Sequence, residues 1–267
     1  MGTENARTKV IVSDVGRIFG PPNKEFVAIE SIDLTIAENE FVSIVGTSGC
    51  GKSTLLNMIG GLDEPTYGAI TIDGAPVRGP GRDRGFVFQT YSLFEWMTVE
   101  GNILFALEKS KLSKAEKTEM VAHFIHAVGL SGFEKAFPKQ LSGGMRQRVA
   151  IARALVYKPS LLLMDEPFGA LDAQTRGMMQ ELLLKIWEDH KVTVLFVTHD
   201  VDEAIFLADR VVVLASRPGR VKKDLRIDLE RPRSFDIVTD PKFSACKREI
   251  LTDIREETLK VMAMEQS

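Results

Sequence analysis

Short runs of β-branched and aromatic residues recur along the chain and predict buried strands. They lie at Phe41–Val45, Gly85–Phe88, Leu161–Met164, Val192–Val197 and Val211–Leu214. Helical patterns alternate with these runs, at Lys52–Ile59, Lys114–Val128, Gly144–Val156 and Met178–His190. Chains in which strands and helices alternate form mainly parallel sheets covered by helices, so the pattern predicts an α/β fold.

Three stretches depart from this alternation. Tyr67–Arg84 is rich in turn residues and predicts an antiparallel hairpin at a sheet edge. Leu93–Pro138 has a helical pattern throughout, which indicates a helical insert. Asp240–Ser267 predicts a surface helix that begins after Pro241.

Composition narrows the class of protein. Apolar residues make up 44% of the chain and the net charge is −3, which gives no reason to expect nucleic acid as a partner. The two cysteines, Cys50 and Cys246, are too few for a disulfide framework or a cysteine metal cluster. Met1–Lys9 is polar, and the apolar runs are too short to span a bilayer, so we expect a cytoplasmic protein with at most a peripheral membrane role.

A glycine-rich segment joins the strand predicted at Phe41–Val45 to the helix predicted at Lys52–Ile59. It matches GxxxxGK[ST], the pattern of a phosphate-binding loop. In such a loop the backbone amides surround phosphate oxygens, the lysine reaches the outer phosphates and the following hydroxyl ligates Mg2+. A plain glycine-rich turn would not explain the strand, lysine and hydroxyl together. The predicted nucleotide-binding residues are Gly46, Thr47, Ser48, Gly49, Cys50, Gly51, Lys52, Ser53 and Thr54.

Cys50 lies inside this loop at a predicted helix N-terminus, where the pKa of a thiol can be lowered. We favour the alternative, in which its side chain only packs the loop.

Two adjacent acids, Asp165 and Glu166, follow the apolar run at Leu161–Met164. The carboxyl ends of strands are the positions at which open α/β sheets bind ligands. We therefore predict that Asp165 holds Mg2+ through water and that Glu166 polarises the water that attacks the γ-phosphate. A helix N-cap would explain one carboxylate but not the pair.

The run LSGGMRQR precedes a helical pattern and places Ser142 at the N-cap position, followed by Gly143 and Gly144. Taken alone, the run is better explained as a capped helix with flexible glycines.

Together with the phosphate loop and the paired acids, however, the run makes the chain resemble the nucleotide-binding subunits of ABC transporters, whose signature is a run of the LSGGQ type. The resemblance covers Val10 to Arg220, with Met145 where the family most often has glutamine. It implies a P-loop NTPase core with an antiparallel β subdomain and a helical subdomain at about 91–158. The implied ATPase domain is 1–220, and 221–267 forms a short C-terminal extension without a separate regulatory domain.

Three further residues match the family in its order along the chain. Gln89 matches the glutamine of the Q-loop, Asp172 the aspartate of the D-loop and His199 the switch histidine. The resemblance implies ATP and Mg2+ as ligands. The implied catalytic residues are Glu166, His199 and Gln89, and the implied magnesium ligands are Ser53, Gln89 and Asp165.

Two of the assigned positions have ordinary alternatives. Lone histidines are often core residues, but the neighbours Thr198 and Asp200 make the position of His199 polar and favour a γ-phosphate contact. Phe19 matches the aromatic residue that stacks on adenine in the family, although a phenylalanine near a strand end can equally be a core residue.

The family also implies partners. Its subunits bind two ATP molecules between two head-to-tail copies, so Ser142, Gly143, Gly144 and Asp172 would act on the ATP of a second copy or of a paralogous subunit. The aromatic segment Gln89–Trp96 would line the groove that accepts a cytoplasmic helix of a permease, with core packing as the alternative. Such a chain would lie at the cytoplasmic face of the inner membrane.

Within the family, Val197–Ala204 and Arg217–Arg220 resemble the importers of nitrate, sulfonates and taurine. This implies uptake of a small anionic solute, delivered by an extracytoplasmic solute-binding protein. Export of lipids stays open, as do other import substrates and a heterodimer of motor subunits. ABC ATPases of DNA repair are disfavoured because the chain has no heptad stretch, and translation factors because it has one phosphate loop.

Overall fold

The computed structural model describes residues 7–265 and divides into two compact units. The first unit joins the segment that ends at Gly81 to the segment that starts at Thr193, and the second unit is Arg82–Val192. The elements in chain order are β1 (Thr8–Phe19), β2 (Phe26–Ala37), β3 (Phe41–Gly46), α1 (Lys52–Gly60), β4 (Tyr67–Ile72), β5 (Ala75–Pro76), β6 (Arg84–Val87), α2 (Val99–Phe105), α3 (Lys114–Ala127), α4 (Gly143–Leu155), β7 (Leu161–Asp165), α5 (Ala173–His190), β8 (Thr193–Val197), α6 (Val201–Leu207), β9 (Arg210–Ala215), β10 (Gly219–Arg226) and α7 (Pro241–Glu265). Two short 3-10 helices lie at Pro138–Gln140 and Phe235–Thr239.

The first unit contains a mixed sheet with the strand order β5-β4-β1-β2-β10-β9-β3-β8. Strand β3 pairs in parallel with β8 on one side and with β9 on the other. Strands β1, β2, β4 and β5 pair antiparallel. Every residue of β3 and β8 is buried, as expected for central strands covered on both faces.

The second unit has helices α2 to α5 and the parallel pair β6 and β7. Its helix α4 buries a face that includes Val149 and Ala152, and Val156 at the C-cap continues this face. These residues recur three to four positions apart, as the sequence pattern of this helix predicts.

The predicted α/β fold is confirmed, and the five predicted core strands form within a residue or two of their expected limits. The antiparallel hairpin is confirmed as β4 and β5, but it ends at Pro76 and not at Arg84, which is the first residue of β6. The long antiparallel strands β1 and β2 were not predicted. The limits of the predicted ATPase and helical subdomains stay a prediction.

Two predicted helices need correction. The helical pattern at Leu93–Pro138 is not one continuous helical block, because α2 ends at Phe105 and α3 starts only at Lys114. Ser113 starts α3 with a capping box, in which its hydroxyl and the carboxylate of Glu116 each accept a backbone N–H. Helix α5 starts at Ala173, five residues before the predicted Met178, because the side chain of Asp172 caps it.

The predicted C-terminal helix is confirmed as α7, which packs against α6 and β9. The last two residues of the predicted helix, 266 and 267, lie outside the described residues. Within residues 7–265, no helix is long and apolar enough to cross a membrane.

Candidate nucleotide-binding site

The glycine-rich loop between β3 and α1 forms a tight turn. Gly49 and Gly51 have φ values of 78° and 93°, in the left-handed region that glycine adopts without strain. Gly51 is the N-cap of α1 and supplies no side chain to satisfy the first amides of the helix. Unsatisfied amides at a helix N-terminus form an anion site, so the loop has the backbone that a phosphate requires.

Lys52 places a positive charge in this loop. Its side chain is 7% exposed, and its ammonium donates to the carbonyl oxygens of Gly46 at 3.0 Å and Thr47 at 3.1 Å. Backbone carbonyls carry no net charge, so these contacts orient the ammonium without neutralising it. A phosphate at the loop would supply the missing negative charge.

The side chain of Cys50 packs beneath the backbone of the phosphate loop, away from solvent. The residue is fully buried, and burial raises the pKa of its thiol although Lys52 opposes the shift. The pKa of the Cys50 thiol is thus raised and not lowered, which agrees with the favoured packing role.

In the second unit, the paired acids lie at the end of β7. Asp165 is the last residue of the strand, and Glu166 follows it with a φ of 41°. A positive φ in a residue other than glycine costs on the order of 1 kcal/mol, and at a ligand-binding sheet edge it is consistent with a functional constraint. The amide of Gln89, which follows β6, donates to the carboxylate of Glu166 at 3.5 Å. The structure thus brings together two of the three predicted catalytic residues.

Ser142 is the N-cap of α4, as predicted, and its hydroxyl accepts the N–H of Met145 at 3.3 Å. Gly143 and Gly144 open the helix, and both are in close contact with neighbours. A Cβ on Gly144 would lie 2.6 Å from Cγ2 of Thr175 in α5. Gly144 therefore allows α4 and α5 to approach each other closely. This packing role goes beyond the flexibility that the sequence pattern suggested for the glycines.

Asp172 is the N-cap of α5, close to the contact between Gly144 and Thr175. Its carboxylate accepts the N–H of Thr175 at 3.0 Å. Hydrogen bonds from Thr175 lower the pKa of Asp172, so the group is ionised at neutral pH. The predicted signature and D-loop residues thus lie at two neighbouring helix N-termini of the second unit.

His199 belongs to the first unit and follows β8. The residue is exposed, so it is not a core histidine. Asp200 next to it caps α6 by accepting the N–H groups of Asp202 at 2.9 Å and Glu203 at 3.2 Å. The cap fixes the backbone immediately after His199.

Phe19 ends β1 and is 38% exposed, so the core alternative does not hold for it either. The guanidinium of Arg17 lies 4.5 Å from the centre of its ring. An exposed ring of this kind offers a face on which a base could stack.

A surface of exposed aromatic residues lies beyond Gln89 in the second unit. Trp96 is 73% exposed, and its ring lies 5.4 Å from that of Phe94, which in turn contacts Phe105 at 4.6 Å. Core packing is therefore not the role of Trp96. We call the half-buried Phe94 and the exposed Trp96 and Phe105 the aromatic surface.

Two residues that sequence reasoning missed hold this segment in place. The buried amide of Asn102 accepts the N–H of Phe94 at 2.9 Å and donates to backbone carbonyls, among them that of Phe94 at 3.1 Å. Arg153 of the signature helix α4 donates to the carbonyls of Ser92 at 2.7 Å and Tyr91 at 3.2 Å. Neither belongs to a short motif, so no local sequence signal could have identified them.

Comparison with known proteins agrees with these features. The family model described as ABC transporter matches residues 29–169, and the chain therefore belongs to the ABC transporter family. It is 51% identical, over 96% of its length and 95% of the other chain, to an uncharacterised ABC transporter ATP-binding protein of Methanocaldococcus jannaschii. It is 48% identical to a nitrate import ATP-binding protein of Synechocystis, over 91% of this chain and 94% of that one.

A solved structure is also similar. It is the dimeric post-hydrolysis state of an ATP-binding cassette bound to ADP and phosphate, with a TM-score of 0.73 and 35% identity. The alignment covers 83% of this chain and all of the other. The chain is thus an ATP-binding, ATP-hydrolysing subunit of the ABC type with the P-loop NTPase fold that the sequence predicted.

Proposed function

We propose that this chain forms an ATP-dependent dimer and drives the uptake of a small anionic solute, such as nitrate, a sulfonate or taurine, through a separate permease. The phosphate loop carries the ATP-dependent part of this proposal, because the N-terminus of α1, which has no side-chain cap, and the ammonium of Lys52 lie in one turn. The similarity to a nitrate import protein supports the choice of solute.

Within this proposal the triphosphate of ATP binds to residues 46–54, and Phe19 stacks on the adenine. Lys52 and the loop amides neutralise the charge on the phosphates. Glu166 accepts a proton from the attacking water, Gln89 orients that water through its contact with Glu166, and His199 contacts the γ-phosphate. These roles agree with the side-chain chemistry of each position.

Mg2+ would be held by the Ser53 hydroxyl, the Gln89 amide oxygen and the Asp165 carboxylate. All three are oxygen donors, which Mg2+ prefers, and it binds typically through one or two carboxylates together with substrate phosphates. When bound, Mg2+ supplies charge neutralisation for the phosphates.

The dimer is proposed because the signature residues present a second anion site. Ser142 is exposed at the N-terminus of α4, and Asp172 is exposed at that of α5. We assign Ser142, Gly143, Gly144 and Asp172 to the ATP bound by the other copy. The similar cassette of known structure is itself a dimer, which supports the assignment.

The aromatic surface is proposed to receive the permease. A tryptophan that is 73% exposed is unusual on a free surface and typical of an interface. Attachment to the permease would place the chain at the cytoplasmic face of the inner membrane, and the solute-binding protein would act on it only through the permease.

Solute uptake tests the proposal. In a strain that lacks this gene, uptake of labelled nitrate, taurine and an alkyl sulfonate is measured after complementation with the wild type, with Lys52→Ala and with Lys185→Ala. Lys185 is an exposed residue in the C-terminal half of α5 to which no role is assigned, and it serves as the control. We expect one solute to depend on the wild type and on Lys185→Ala but not on Lys52→Ala. Equal uptake of all three solutes with and without the gene would refute the proposed cargo.

A further inference from the structure

The turn between β9 and β10 links the phosphate loop to the C-terminal helix α7. Ser216, which is buried in this turn, uses two groups for the link. Its hydroxyl is hydrogen-bonded to the hydroxyl of Thr47 in the phosphate loop. Its backbone N–H donates to Oε2 of Glu257, in α7, at 3.3 Å. The loop and the helix thus share one intermediate residue.

Backbone packing fixes the same turn against the phosphate loop. A Cβ on Gly219 would lie 2.4 Å from the carbonyl oxygen of Cys50 and 2.9 Å from that of Ala28. Such distances are far below van der Waals contact, so only glycine permits the turn to approach the loop this closely. A shift of the turn would therefore move the loop.

The second carboxylate oxygen of Glu257, Oε1, is also held by hydrogen bonds. Its residue is 2% exposed, and Oε1 accepts hydrogen bonds from Lys260 at 2.7 Å and from Lys222, on β10, at 3.1 Å. A buried carboxylate is tolerated only when it is paired and hydrogen-bonded. Burial acts to raise the pKa of Glu257, but the hydrogen bonds from Lys260, Lys222 and Ser216 outweigh it and lower the pKa. The carboxylate is therefore a fixed anion.

We propose that Glu257 is a positioning residue for ATP binding, which holds the phosphate loop in its binding geometry through Ser216 and Thr47. The proposal rests on ATP binding at that loop. A role confined to anchoring α7 would use the lysine contacts alone and would not require the bond to the Ser216 amide. The C-terminal helix, far from the phosphate loop in sequence, then acts as part of the framework of the nucleotide site.

Three variants test the link. Glu257→Gln leaves one acceptor oxygen for the three donors, which are the Ser216 N–H, Lys222 and Lys260. The NH2 group that replaces the second oxygen cannot accept a hydrogen bond from any of them. Ser216→Ala removes the hydroxyl that contacts Thr47 and keeps the backbone amide. Glu256→Gln is the matched control, because Glu256 also accepts from Lys222, at 2.8 Å, but lies at the exposed surface of α7. ATP affinity is measured by equilibrium dialysis, the KM for ATP by steady-state hydrolysis, and the exposure of amides 46–52 by hydrogen exchange without nucleotide.

We expect Glu257→Gln and Ser216→Ala each to weaken ATP binding about three- to tenfold, the effect of losing one charge-assisted or buried hydrogen bond. The KM should rise more than kcat falls, and the loop amides should exchange faster. Glu256→Gln should stay within about twofold of the wild type. Unchanged affinity and unchanged loop exchange in either test variant would overturn the proposal. If Glu257→Gln does not fold, the result for Ser216→Ala decides whether the proposal stands. If the wild type itself binds no ATP, the proposed function fails, but the hydrogen-exchange data still test whether Glu257 and Ser216 hold the phosphate loop.

Discussion

Replacing Gly144 by alanine tests whether α4 and α5 need the close approach seen at the signature run. The added Cβ would lie 2.6 Å from Cγ2 of Thr175, whereas carbon atoms attract each other only at about 3.5–4 Å. Overpacking of this kind costs about 1–3 kcal/mol, and alanine recovers up to about 1 kcal/mol over glycine in a helix. We therefore expect a net destabilisation of up to about 2 kcal/mol, which is a fall in Tm of a few degrees for a chain of this size.

A second substitution separates packing from function. Thr175→Ser removes Cγ2 and keeps the hydroxyl, so Gly144→Ala combined with Thr175→Ser should melt close to the Tm of Thr175→Ser alone. The ATPase activity of the double variant should stay low, because the Cβ remains at the helix N-terminus assigned to the γ-phosphate. Thermal melting followed by circular dichroism and a phosphate-release assay measure the two effects. A Gly144→Ala protein that melts at or above the wild-type Tm would refute the packing argument, and a double variant with restored activity would refute the functional one.

Three further predictions concern other regions. Arg233→Lys should lower the stability by about 2 kcal/mol in chemical denaturation. The buried Nη1 of Arg233 donates to the carbonyls of Ile205, Phe206 and Ala208, and Nη2 donates to that of Leu229, whereas lysine is shorter and has no second nitrogen. An unchanged midpoint would contradict this. Trp96→Ala should reduce transport in membrane vesicles more than it reduces basal ATP hydrolysis, and unchanged coupling would remove the proposed permease contact. The folded-state pKa of Glu257 is lowered, so the stabilisation by its carboxylate is present above the ordinary carboxyl pKa of 4.5 and is lost as the pH falls through the lowered value. Glu257→Gln should therefore flatten the acid limb of a plot of Tm against pH. Parallel curves for the variant and the wild type would contradict the pKa shift.

The buried strands were predictable because their apolar runs leave few alternatives. Leu161–Met164 and Thr193–Val197 are buried throughout, and unbroken runs of this length are typical of central strands. The strands β1 and β2 were missed because their alternation of buried and exposed residues is irregular, and their pairing contains several register shifts. Such bulges interrupt the period of two on which a sequence prediction depends.

The nucleotide-binding residues that belong to contiguous motifs could be predicted, whereas their supports could not. The φ of Glu166 depends on the turn after β7, and its contact with Gln89 joins residues that are far apart in the chain. The contact of Arg153 with the carbonyl of Ser92 and that of Glu257 with Ser216 likewise follow from tertiary packing. Long-range contacts of this kind leave no local pattern for sequence reasoning to find.

The mass of the Glu166→Gln protein, measured by light scattering with and without ATP and Mg2+, tests the central claim most directly. If Glu166 activates the water, the amide binds ATP without hydrolysing it, and the protein should become a dimer that retains ATP through gel filtration. Glu181→Gln, at an exposed position on α5, should hydrolyse ATP as the wild type does and should not accumulate as a stable dimer. A Glu166→Gln protein that stays monomeric and retains no ATP would contradict the account.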